Sequence, residues 1–115
     1  MLTLALATLL ALQAAPAEPQ PLGQENRALL RCAVAFAMVS GGQASGDPQA
    51  LKWPQIGARG REFFVRAMAQ LMDATGRDRA AISALANAEA QALAANDEVA
   101  RIMPTCLVML EASGV

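Results

Sequence analysis

Residues 58–75 read ARGREFFVRAMAQLMDAT. At 100° per residue, Arg59, Glu62, Arg66, Gln70, Asp73 and Arg77 fall on one side of a helix, with Phe64, Met68 and Leu71 opposite. That segregation predicts an amphipathic helix over about 58–75. Glu62–Arg66 and Asp73–Arg77 add i,i+4 pairs worth a few tenths of a kcal/mol each. Gly57 and Gly60 project toward the apolar side, where they would let another backbone approach closely. Thr75 ends the apolar side with a hydroxyl in reach of a free carbonyl, and Gly76 suits the C′ position.

Downstream, Asp78 is placed to cap a helix over about 79–95, whose stripe is Ile82, Leu85, Ala86, Glu89 and Leu93. Asn96 is read as the cap of a further helix over 97–112, with Asp97 and Glu98 in its first turn and Val99, Ile102, Met103, Cys106 and Leu110 as its stripe. Pro104 falls inside that helix and predicts a kink or restart near 102–103. Residues 113–115 should fray.

Upstream, the first helix is expected over about 24–39. Leu29, Cys32, Ala33 and Phe36 form its stripe, and Leu30, Val34 and Met38 leave little polar face. Gly41-Gly42 is read as its stop. Residues 41–57 are loop-rich, with Asp47-Pro48 as N-cap and first residue of about one helical turn. Residues 18–23, with Pro19 and Pro21, form an extended lead-in. The opening MLTLALATLLALQAAPAE has a short apolar core and ends in Ala15-Pro16-Ala17, the pattern of a signal peptide cleaved after residue 17. The run is too short for a span of roughly 20 apolar residues, so no stable membrane span is expected after cleavage. No strand-like alternation and no internal repeat interrupts this pattern. The expected fold is therefore all-α: a small antiparallel four-helix bundle over 24–112, following a cleavable signal peptide.

Composition narrows function. The 115 residues contain no His, no Tyr, nine Lys and Arg against ten Asp and Glu, and two Cys. Lacking His, the chain lacks the commonest general base and zinc ligand. A near-neutral balance provides no basic field for nucleic acid or a membrane surface. In an exported chain, Cys32 and Cys106 point to one disulfide joining the first and last helices. For a loop of about 75 residues, chain entropy values the bridge at roughly 4–5 kcal/mol. Without His or a C-x-x-C pair, neither sulfur reads as a catalytic thiol.

Glu89 sits in the apolar stripe of its helix, and Arg61 lies on the apolar shoulder of residues 58–75. A buried carboxylate needs a partner, so an Arg61–Glu89 ion pair is expected between neighbouring helices. Met68 and Met72, spaced i,i+4, could in principle hold Cu(I), but thioethers at that spacing read as packing. Neither a metal nor another cofactor is expected. Thr75-Gly76-Arg77 followed by Ile82 permits a helix-turn-helix-like alternative, with Arg79, Ser83 and Asn87 facing nucleic acid if the chain is not exported. The charge balance and the leader argue against nucleic acid as a partner.

Leu30-Arg31-Cys32-Ala33-Val34-Ala35-Phe36, Arg59-Gly60-Arg61-Glu62-Phe63-Phe64-Val65-Arg66 and Met103-Pro104-Thr105-Cys106-Leu107 together resemble small exported, helical, two-cysteine proteins of alphaproteobacteria. The resemblance implies export to the periplasm or beyond and a Cys32–Cys106 bridge, and transfers no catalytic or binding residue. In outline the chain is also similar to small periplasmic acid-stress chaperones, which join distant cysteines in a helical domain. The resulting expectation is a non-enzymatic exported protein that acts by contact with another protein or a second copy. The alternative is a periplasmic stress chaperone or carrier of a small apolar ligand.

Overall fold

The structure, a computed structural model, describes residues 21–115. The expected leader, residues 1–17, and the start of the lead-in lie outside the described residues. Five helices follow: α1 (Gln24–Ser45), α2 (Pro48–Leu51), α3 (Gly57–Thr75), α4 (Arg79–Ala95) and α5 (Val99–Ala112). There is no strand among the described residues. The all-α class holds, and the count rises from four to five because the turn capped by Asp47 is a helix of its own.

α1 is the centre. Leu30, Cys32, Ala33, Val34, Ala35, Phe36 and Val39 are buried around most of its circumference, and each of the other helices packs against it. A helix apolar on nearly every side must be covered on nearly every side. α1 is long and apolar enough to cross a bilayer, but here its apolar side chains form the protein's own core.

Gly41-Gly42 does not end α1, which runs on to Ser45 and stops at Gly46 in the left-handed region (φ 78°). Gly46 N–H donates to Gln43 O (3.2 Å) and Asp47 N–H to Gly42 O (2.8 Å), the paired closure of a glycine-terminated helix. Gly42 serves packing instead, since a Cβ there would lie 2.6 Å from Ala50 Cβ. The extra turn is held by Gln43. Its buried amide donates to Ala50 O (3.1 Å), Trp53 O (3.3 Å) and Pro54 O (2.9 Å), and its Oε1 accepts from Ile56 N–H (3.3 Å). A loop that would otherwise hide unpaired backbone groups is thereby satisfied by one side chain. Gln43→Ala is expected to destabilise the fold by about 2–3 kcal/mol in urea titration. A change below about 0.5 kcal/mol would mean that solvent replaces the amide without loss.

α3 is amphipathic as expected, but its core line is Gly60, Phe63, Ala67 and Leu71, with Phe64 and Met68 only half-buried. Small residues decide this rotation. A Cβ at Gly60 would stand 2.9 Å from Ser40 Oγ, so α3 meets α1 along its narrowest edge, and Phe63 packs edge-to-face on Phe36 with ring centroids 5.0 Å apart. Thr75 donates to Leu71 O (2.6 Å), and Gly76 closes α3 at φ 70°. Asp78 caps α4 by accepting from Ala81 N–H (2.8 Å).

Between α4 and α5, Asn96 closes the earlier helix instead of opening the later one. Its amide donates to Ala92 O (2.9 Å), Asp97 takes φ 51°, and Glu98 N–H donates to Leu93 O (3.0 Å). α5 then runs unbroken from Val99 to Ala112, with Pro104 exposed inside it and no restart. Residues 113–115, expected to fray, turn back on the fold. Val115 packs against the core, and Val115 O accepts from Arg59 Nε (2.9 Å).

Candidate functional site

Cys32 and Cys106 form a disulfide that joins α1 to α5, the first and last helices, with Cα atoms 5.2 Å apart. The sulfur-bearing residues are 5% and 1% exposed, inside the core. Both thiols are thus consumed in structure. A buried disulfide of this span points toward an oxidising, extracytoplasmic compartment.

The expected Arg61–Glu89 pair does not form. Glu89 faces α1, where Arg31 Nε lies 3.1 Å from its Oε1, close in charge but without hydrogen-bond alignment. Arg31 Nη2 reaches Glu98 at 2.7 Å, and Glu98 is 3.5 Å from Arg101. Arg31 is the neighbour of Cys32, so the disulfide that pins α1 against α5 also sets this guanidinium between α4 and the start of α5. Arg61 is exposed on α3 for the reason already given for Phe64: the seam turns toward Gly60 and carries position 61 outward. The cluster balances two cations with two carboxylates and ties three helices together.

That same rotation leaves part of the α3 apolar stripe without a helix over it. Phe64, Val65, Met68 and Met72 face Ile82, Ser83 and Arg79 of α4 across a groove of about 310 Å³. Val65 is 66% exposed, one of three large apolar side chains so open to solvent among the described residues. Met68 and Met72, the i,i+4 thioethers considered for Cu(I), are among its lining residues. Among the described residues, no three His, Cys, Asp or Glu side chains gather as a metal site would require.

A second, larger cleft of about 560 Å³ opens between the 47–53 segment and the α4–α5 connection. Met38, Val39, Leu93 and Trp53 supply its apolar surface, while Asp47, Lys52 and Asp97 stand around it. Its volume is larger, but its walls mix charge signs and offer no continuous apolar track.

No family model, no curated protein and no solved structure matches the chain. Residue chemistry alone must carry the functional reading. Neither cleft was foreseen from the sequence, although one signal was present: α3 carries Phe63, Phe64 and Val65 in succession, more apolar surface than a single seam can cover. Of the α4 positions considered for nucleic acid, Arg79 and Ser83 line the groove and Asn87 is exposed.

Proposed function

We propose that this chain is an exported, non-enzymatic helical protein that acts by contact with another protein along the α3/α4 groove. The observation that carries this reading is the run of half-buried and exposed apolar side chains, Phe64, Val65, Met68 and Met72, along one wall. Such a track takes the apolar face of a partner helix, and unbranched thioethers adapt to its shape. Export is supported by the leader pattern and by the buried disulfide. Short connections at 76–78 and 96–98 favour an antiparallel bundle with α1 as its axis. With Arg79 the one cation among the described lining residues, a helix-turn-helix role would have little to offer a phosphate backbone.

The test is a photo-crosslinking residue at position 65, with position 44 as an exposed control on α1, followed by intact mass of the periplasmic fraction with and without reductant. A discrete protein adduct from position 65 alone, on a chain that begins at Glu18 and carries one disulfide, is expected. No adduct, or the same adducts from both positions, removes the reading. The second reading, a small apolar-ligand carrier or stress chaperone, is favoured by the larger cleft with Trp53 in its wall. It would appear in the same experiment as a co-purifying small molecule without a protein adduct.

A further inference from the structure

We infer that the occupant of the α3/α4 groove is an apolar helical segment of another protein that carries carboxylates at both ends, about three helical turns apart. This rests on the groove being a protein-contact site. The argument is one of charge complementarity.

At 100° per residue, Phe64, Met68, Met72 and Val65 span one sector of α3, and Arg61 falls in that same sector, one turn before Val65. Arg61 is exposed and is not the partner of Glu89, whose contact is with Arg31. At the other end stands Arg79, in the first turn of α4 and lining the groove. The three-residue connection after α3 brings the start of α4 beside the end of α3, so the two guanidiniums mark opposite ends of the track.

Among the described residues, no carboxylate lines the groove. Glu62 lies round the side of α3 and pairs with Arg66 at 2.6 Å. On α4, Glu89 is turned away toward Arg31, and Asp78 is engaged in capping Ala81 N–H. A chain with a net charge of −1 thus presents here an apolar strip with a guanidinium toward each end, while the α3 carboxylates Glu62 and Asp73 lie beyond Ala69, at the edge of that sector. From Arg61 to Met72 the helix rises about 16 Å, which sets the spacing of the matching acids. Rim charges of this kind select partners and orient them more than they add affinity.

The probe is a labelled, 15-residue Leu/Ala amphipathic peptide flanked by Glu at both ends, compared with the same peptide flanked by Lys. Binding to the disulfide-bonded chain is read by fluorescence anisotropy. The Glu-flanked peptide is expected to bind about tenfold more tightly, the sum of two modest exposed ion pairs. Val65→Glu, at an exposed position that leaves the helical circular dichroism intact, should abolish binding, and Arg61→Glu with Arg79→Glu should reverse the preference. Equal binding, or a Lys preference, overturns this inference while a position-65 adduct would still uphold protein contact. Binding of neither peptide also overturns it, and without an adduct the contact reading falls too. A dimer in sedimentation that Val65→Glu dissociates would overturn it by naming a second copy as the occupant.

Discussion

Removing the Cys32–Cys106 bridge, by Cys32→Ala with Cys106→Ala or by reductant, is expected to destabilise the domain by about 4 kcal/mol. Bridging positions 74 residues apart, it constrains most of the described chain in the unfolded state. α5 depends on it in the folded state as well, because among the described helices α1 is the only one against which α5 packs extensively. Met103, Cys106 and Leu110 are the buried residues of α5, and the central one is covalently held. A domain of this size has about 5–15 kcal/mol in total, so the loss is a large fraction of its stability. The midpoint of thermal unfolding should fall by roughly 20 °C. The wild type should respond to reductant in denaturant titration, and the double variant should not. Identical midpoints for oxidised and reduced wild type would show that helix packing alone holds α5 in place.

Phe36→Ala is the second large effect, at about 3–5 kcal/mol. Phe36 is fully buried in α1, and its ring meets Phe63 of α3 edge-on at 86°. Truncation removes the contact that seats α3 and leaves a cavity that the disulfide-pinned α1 cannot move to fill. Phe36→Leu keeps most of the volume and should cost about 1–2 kcal/mol. A cycle pairing Phe36→Leu with Phe63→Leu should show coupling of about 0.5–1.5 kcal/mol, read from urea midpoints. Additive effects would mean that the two rings pack independently. Val65→Ala, made on the groove wall, should change stability by no more than about 0.5 kcal/mol.

Local signals were read correctly where they act within one turn. Asp47 and Asp78 cap α2 and α4, and Gly76 closes α3, because each completes backbone hydrogen bonds with atoms two to four residues away. Signals that depend on a distant partner are not legible within one helix. Gly41-Gly42 looks like a helix stop until Ala50 is seen to need the space beside Gly42. Asn96 looks like an N-cap until Glu98 is seen engaged with Arg31 and Asn96 bonded back to α4. Arg61 and Glu89 are opposite charges on neighbouring helices, yet the cation that reaches Glu89 comes from α1.

By itself, the sequence determined that the chain is helical, where α3 and α4 begin and end, and which two sulfurs would form any intramolecular bridge, since only one such pair exists. Periodicity and capping are properties of a single helix and need nothing beyond it. Only the tertiary structure decided which half of the broad apolar stripe on α3 became core. Gly60 and Ala67 let the α1 backbone come near, so burial favoured the Phe63 side and left Phe64, Val65, Met68 and Met72 on the groove. A hydrophobic pattern states that a face will be covered, while close packing between particular small residues settles what covers it.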